Sequence, residues 1–291
     1  MGRLGSQQTR GFALVVRSCL LCLLLGCTST TTRVAGWYVT RQIDDYLDLT
    51  GDQKDQVRAR VDGLIAEIRR DELPKALYLM RLIRDAIGQD QVAPRIDDLQ
   101  ARSDALLERA AARLIPELGW ALSQLDDAQI AHFEGKLREN VDALYKDQKL
   151  APTERRKRAD EQLIEGLEKA VGDLSAAQQQ AILLAAHALP DDRAARYQAD
   201  LSRIASTGKL LRTHPGQAAI EGELRRLWET RYEVGAGRDK LVRRAEQRGF
   251  LLSVDRAMTS EQRAHAVESL NERIRGLARF ELHADAKGAP N

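Results

Sequence analysis

Apolar residues recur along most of the chain at intervals of three and four, which is the period of an α-helix that buries one face. A clear stripe near the start of the body consists of Val57, Val61, Leu64 and Ile68. A second stripe runs from Val267 to Leu277. Alternating apolar and polar residues do not persist over the length of a strand, so the pattern predicts an all-α fold with no sheet.

Four segments carry the signature of a helix start. In each, an apolar residue precedes Thr, Asp or Ser, and Gln follows three positions after that polar residue. This is the capping-box pattern, in which the Gln side chain reaches back to the N-cap amide. The four pairs are Thr50 and Gln53, Asp126 and Gln129, Ser175 and Gln178, and Thr259 and Gln262.

The four starts are unequally spaced, which argues against a solenoid of equal repeats and favours an elongated bundle of helical hairpins of unequal length. Between them, Pro74 predicts the start of a helix that runs to Ile87, because proline is tolerated in a first helical turn. Another helix is expected from Ile96 to Leu118, with Pro116 disturbing its end. The segment Gly235 to Gly237 predicts a break.

The first residues have the layout of an export signal. Arg3, Arg10 and Arg17 precede a short apolar run without any acidic residue. The run ends in Leu24-Leu25-Gly26-Cys27, which resembles the closing motif of a bacterial lipoprotein signal. That resemblance implies cleavage before Cys27 and lipidation of its sulfur. An ordinary secretory signal remains an alternative, whereas a membrane helix would need roughly 20 apolar residues.

These features divide the chain into a signal peptide over 1–26, a lipidated Cys27 with a flexible tether over 27–36, a helical domain over 37–283 and a frayed tail over 284–291. The aromatic pair Trp37 and Tyr38 stands just beyond the tether. Two interpretations stay open for this pair: contact with the membrane interface, or packing of the first helix into the body.

The charge balance changes once the signal is removed. The chain has 45 basic and 43 acidic residues, and three of the basic residues belong to the signal, so the body is nearly neutral. A nearly neutral body in which basic and acidic residues are interspersed gives no reason to expect nucleic-acid binding. Cys19 and Cys22 leave with the signal, so no disulfide is expected in the body.

Motifs that would carry catalysis are missing from the sequence. There is no Gly-x-Ser-x-Gly elbow and no glycine-rich phosphate loop after a strand. We therefore expect no catalytic residues, no cofactor and no enzymatic activity. The alternative is a metal-binding protein or enzyme that uses Glu261, His265 and Glu268, which share a helical face. A surface pair is the interpretation that we prefer, because no other helix supplies matching ligands.

The basic run Arg155 to Arg158 has two interpretations. It could contact anionic headgroups or another polyanion. Glu154, Asp160 and Glu161 flank it, so a solvated helix face is the interpretation that we prefer.

Two resemblances to known families add to these predictions. The Leu49 to Gln53 segment is similar to the LTxxQ signature of periplasmic helical chaperones of the Spy and CpxP type. The lipoprotein motif ending at Cys27, the segment Asp45 to Thr50, the turn Glu72-Leu73-Pro74 and the segment Thr259 to Val267 resemble domain-of-unknown-function family 6279, a family of proteobacterial lipoproteins. The resemblance implies an all-helical, lipid-anchored envelope protein and supplies no catalytic residue.

The sequence thus predicts a lipid-anchored envelope protein that faces the periplasm and binds other proteins or unfolded chains. Thr28, rather than Asp, follows Cys27, which resembles the pattern of lipoproteins sent to the inner leaflet of the outer membrane. The expected partners are the membrane, through Cys27, and envelope proteins.

Overall fold

The computed structural model describes residues 32–233 and 240–285 of the chain. Within these ranges it contains eleven α-helices, one short 3-10 helix over Lys146–Lys149 and no strand, so the all-α prediction is confirmed for this part. The helices are α1 Thr32–Leu47, α2 Gly51–Asp71, α3 Leu73–Gly88, α4 Val92–Ser123, α5 Asp127–Leu144, α6 Pro152–Val171, α7 Ala176–His187, α8 Arg193–Leu211, α9 Gln217–Glu229, α10 Lys240–Ala257 and α11 Ser260–Asp285.

The largest apolar core lies among α1, α2, α4 and α5, which we call the first half, together with α8 and α9. Helix α1 packs on α2 and α5, α5 packs on α8, and α9 packs on α4. Val61, Leu114, Ile130, Ile204 and Leu224 are buried together in this core.

A smaller core lies among α6, α7, α10 and α11, which we call the second half. It joins these helices through Val171, Leu174, Ile182, Val254 and Ala266. Helix α11 also packs along α3 and thereby connects the two halves.

Pro116 does not end its helix, and the predicted end near Leu118 is wrong. Helix α4 continues through Pro116 to Ser123. A proline inside a helix removes one backbone hydrogen bond and costs about 3 kcal/mol. Ile115 and Leu122, which flank Pro116, are buried in the main core, so tertiary packing offsets this local cost.

Helix α1 begins inside the segment that was predicted to be a flexible tether. Thr32 to Gly36 are helical. Gly36 lies against α2, where a Cβ atom would meet the Asp62 carboxylate. The first described helix therefore begins at Thr32, five residues before the predicted start of the helical domain. At the other end, α11 extends to Asp285, two residues into the predicted tail.

Three predicted features lie outside the described residues. These are the signal peptide, Cys27 and the break over Gly235 to Gly237.

The turn between α2 and α3 is built around a buried carboxylate. Glu72 accepts hydrogen bonds from Arg109 at 2.8 Å and from Lys75 at 3.2 Å. Burial raises the pKa of Glu72, but Arg109 and Lys75 together outweigh it and hold this pKa below its ordinary value. In the neighbouring Asp71, hydrogen bonds from Arg70 and then Arg113 outweigh burial and lower the pKa to about 2.

These depressed pKa values predict acid sensitivity. The unfolded chain binds more protons than the folded chain at acid pH, so the free energy of unfolding should fall as pH drops from about 4.5 towards about 2. Glu72→Gln should lose about 1.5–3 kcal/mol near pH 7, because charge-assisted hydrogen bonds are removed. Urea denaturation between about pH 7 and about pH 3 measures both effects.

The matched control is Glu139→Gln, which changes an exposed carboxylate on α5. The difference between wild type and Glu72→Gln should shrink at low pH, whereas the control should follow wild type throughout. A difference that stays constant with pH would contradict the role given to the Glu72 carboxylate.

Candidate functional site

Two of the four capping boxes are joined by their glutamine side chains. Gln53 and Gln129 reach back to the N-cap amides of Thr50 and Asp126, at 2.9 and 3.1 Å. The Gln129 amide nitrogen also donates to the side-chain oxygen of Gln53 at 2.7 Å. The starts of α2 and α5, which lie 76 residues apart, are thereby held together.

Each of these glutamines also donates to a backbone carbonyl that lies just before the start of the other helix in the sequence. Gln53 donates to the carbonyl of Gln124 at 2.9 Å, and Gln129 donates to the carbonyl of Asp48 at 2.8 Å. We name this set of hydrogen bonds around Gln53 and Gln129 the first clasp. Gln129 is only 5% exposed and Gln53 is partly buried, so the clasp lies partly in the interior.

The other two capping boxes form an equivalent second clasp around Gln178 and Gln262. Gln178 donates to the side-chain oxygen of Gln262 at 2.8 Å and to the carbonyl of Ala257 at 2.7 Å. Gln262 donates to the carbonyl of Asp173 at 2.6 Å. Their oxygens accept the N-cap amides of Ser175 and Thr259, both at 2.9 Å.

The two clasps are equivalent position by position. In all four cases the glutamine amide bonds to the carbonyl of the residue that precedes the apolar position of the partner motif, namely Leu49, Leu125, Leu174 or Met258. Helices α1, α2, α4 and α5 of the first half therefore correspond to α6, α7, α10 and α11 of the second half. Sequence reasoning located four caps but missed that they pair.

A groove runs between α6 and α7 next to the second clasp. It has a volume of about 700 Å³, with Ile164 and Leu183 among its apolar lining residues. At 1.5 Å per residue, the stretch of α6 from Thr153 to Glu168 that lines it is about 22 Å long. That length suits roughly four turns of a helical segment.

Carboxylates outnumber basic side chains around this groove. Asp160 pairs with His187 at 2.9 Å, and the Glu161 carboxylate lies 3.9 Å from Lys157. The charged side chains in the lining are Arg156, Lys157, Asp160, Glu161, Glu165 and Glu168. The groove is therefore net acidic, and its lining residues other than Ile164 and Leu183 are polar or charged.

Helix α7 has an unusual surface for an outer helix. Its sequence carries no Asp, Glu, Lys or Arg, and Ile182 is its one buried residue. Ala177, Ala181 and Leu184 follow one another at helical spacing and are all exposed, and Leu184 is 74% exposed. An exposed apolar stripe of this kind marks a surface that can bind another apolar surface.

The residues proposed as an alternative metal site have other environments. Glu268 accepts a hydrogen bond from Arg275 at 2.7 Å, which lowers the pKa of Glu268. Exposed His265 lies beside Gly172, and Glu261 is exposed. Over residues 32–233 and 240–285, no group of three His, Cys, Asp or Glu side chains is arranged to hold a metal ion.

The basic run at the start of α6 is mostly paired with acids. Arg155 lies 3.9 Å from Asp191, and Arg158 lies 3.4 Å from Asp147 and 3.3 Å from Glu154. These contacts fit the interpretation of a solvated helix face. Trp37 and Tyr38 are both about half exposed on α1, so neither ring is taken up by the core.

The fold and the two clasps define an all-α protein built from two halves with the same hydrogen-bonding plan. Residues 45–232 match DUF6279, a family of unknown function. Because this match covers more than half of the 291 residues, the chain belongs to that family. The match includes the first clasp and the groove and ends before α10.

Neither the curated proteins nor the solved structures include a match to this chain. The likeness to the LTxxQ chaperones therefore stays a prediction. Among the described helices, none is both long and apolar enough to cross a membrane.

The clasps predict a specific pattern of mutational coupling. Gln53→Ala and Gln129→Ala remove two sides of one set of hydrogen bonds, so we expect their effects on the free energy of unfolding to be coupled by about 0.5–3 kcal/mol. Gln53→Ala and Gln178→Ala lie in different clasps and share no hydrogen-bond partner. Their effects should add to within about 0.5 kcal/mol.

Urea denaturation of the single and double variants measures these energies. Gln180→Ala is the control, since Gln180 is an exposed glutamine of α7 outside both clasps. Additive effects of Gln53→Ala and Gln129→Ala would show that the two glutamines act as separate caps.

Proposed function

We propose that this protein is a lipid-anchored lipoprotein of the cell envelope whose helical body binds segments of other proteins. Binding takes place in the groove between α6 and α7 and on the exposed stripe of α7, and it involves no chemical conversion. The observation that carries the proposal is the apolar, uncharged surface of α7 beside an open groove.

The charges around the groove favour a particular class of binding segment. Ile164 and Leu183 in the groove, together with exposed Leu184 on α7, suit the apolar face of an amphipathic helix, which is a common mode of peptide recognition. The excess of carboxylates around the edge favours basic side chains on that segment. A stretch of unfolded chain with apolar and basic residues has the same chemistry, so a chaperone-like role is one form of this function.

The location in the envelope follows from the sequence. Leu24-Leu25-Gly26-Cys27 supplies the lipoprotein signal, and Thr28 after Cys27 favours the inner leaflet of the outer membrane. Several acyl chains on one residue would make the anchor effectively permanent, since each buried methylene contributes about 0.8 kcal/mol. The body would then face the periplasm and meet other envelope proteins.

The binding surface is tested with a synthetic amphipathic peptide that has Leu on one face and Lys on the other. Leu184→Gln should weaken its binding about tenfold or more, because burial of a Leu side chain contributes about 1.5–3 kcal/mol. Fluorescence anisotropy of the labelled peptide gives the dissociation constant.

The matched control is Tyr78→Gln, which removes another large exposed residue, 53% exposed on α3 compared with 74% for Leu184. This variant should bind as wild type does, and a peptide with Glu in place of Lys should bind more weakly to every form. Equal loss of binding in Leu184→Gln and Tyr78→Gln would exclude the α7 surface as the binding site.

The anchor is tested separately with Cys27→Ala. In cells, the full chain should fractionate with the outer membrane, whereas Cys27→Ala should lose this association because it has no sulfur to acylate. Fractionation combined with in-cell cross-linking measures location and partners together. Recovery of the acylated protein in the inner membrane would contradict the proposed location.

A further inference from the structure

Helix α1 presents two aromatic side chains to the outside at the end nearest the proposed anchor. Trp37 is 51% exposed and Tyr38 is 47% exposed. Arg41, one turn further along, is also exposed, and its guanidinium lies 5.6 Å from the centre of the Trp37 ring. These three side chains form what we name the α1 aromatic face.

The opposite side of α1 is held against the body. Gly36 is buried against α2, near Asp62 and Ile65. Val39 and Ile43 pack against the main core, and Leu47 is buried in it. The orientation of α1 is therefore fixed by packing, and the outward direction of Trp37 and Tyr38 is a property of the fold.

Two aromatic residues elsewhere in the body, Trp228 and Tyr197, have protein partners for their polar atoms. The indole nitrogen of Trp228 donates to Glu108 at 2.8 Å, and the hydroxyl of Tyr197 donates to Asp142 at 2.9 Å. Among the described residues, no hydrogen-bond partner is seen for the indole nitrogen of Trp37 or the hydroxyl of Tyr38. Each ring thus combines an apolar body with a polar group that is free to bond outside the protein.

The length of chain up to the anchor places this face near a membrane. Five residue steps separate Cys27 from Thr32, where α1 begins, and an extended chain of that length spans at most about 18 Å. Trp37 lies about 7.5 Å further along the helix. The start of α1 is thus the described part of the body that lies nearest, along the chain, to the acyl chains proposed on Cys27.

We infer that the α1 aromatic face sits in the headgroup region of the bilayer and sets the orientation of the body on the membrane. This inference rests on the lipid anchor of the proposed function. The headgroup region is about 5–8 Å thick on each side of the hydrocarbon core. Trp and Tyr rings are enriched at this depth because their polar groups bond to headgroups while their rings enter the apolar boundary. Arg41 can donate two hydrogen bonds to a lipid phosphate.

The test uses the full acylated protein in vesicles of phosphatidylethanolamine and phosphatidylglycerol, part of which carries bromine atoms on the upper acyl chains. Bromine quenches tryptophan fluorescence on contact. The emission of Trp37 is obtained as the difference between wild type and Trp37→Phe. We expect a blue-shifted emission and loss of most of it in brominated vesicles.

The matched control moves the reporter to another exposed aromatic position. Tyr78 is 53% exposed on α3 and has the guanidinium of Arg102 6.0 Å from its ring centre, so it resembles Trp37 in exposure and chemistry. In the Trp37→Phe, Tyr78→Trp variant, emission from position 78 should persist in brominated vesicles. Equal quenching at both positions would overturn the inference, because contact would not be specific to α1.

Flotation of the vesicles separates this inference from the anchor itself. Protein that floats with the vesicles but keeps an unquenched Trp37 would overturn the inference and leave the anchor intact. Full-length protein that carries no lipid and does not float would overturn the anchor and the inference with it.

Discussion

Paired glutamine amides at four helix starts are the interaction on which this fold depends. A glutamine side chain offers two N–H donors and one oxygen with two acceptor sites. In the first clasp, Gln53 uses all of them, since its oxygen accepts from Thr50 and Gln129 while its nitrogen donates to Gln124 and Gln129. Glutamate has no donor to offer, and asparagine is one methylene shorter. Because each of these donors and acceptors is hydrogen-bonded, the desolvation cost of burying Gln129 and partly burying Gln53 is offset.

The sequence specifies the local part of this arrangement and leaves out the long-range part. A capping box is written in five consecutive residues, so helix starts can be predicted without knowledge of the fold. Pairing of Gln53 with Gln129 joins residues 76 positions apart, and nothing in a local pattern says which two caps meet. The same limit explains Pro116, where core contacts of Ile115 and Leu122 override a local penalty. It also applies to the start of α1 at Thr32, because the polar segment there has no helical period of its own and α1 packs on α2 and α5.

The groove was also beyond local reasoning, because exposure depends on which neighbours a helix acquires. The stripe of α6 around Leu163 and Leu167 is partly buried in the second core. The residues of α7 that would be equally suited to a core are left outside, since α7 is fixed at its start by the second clasp and buries Ile182 alone. The second clasp at its start and the packing of Ile182 in the second core together hold α7 in place.

Comparison of equivalent helices shows that this exposure is not a requirement of the clasp. The counterpart of α7 in the first half is α2, which starts from the same kind of capping box and buries Val57, Val61, Ile65 and Ile68. Helix α7 has no charged residue to solvate its outer face, whereas α2 is rich in Asp and Arg. An uncovered helix made largely of Ala, Leu and Gln would promote aggregation if nothing bound to it, because exposed apolar stripes associate with one another. The difference between the two halves therefore supports the proposal that the open surface of α7 binds a partner.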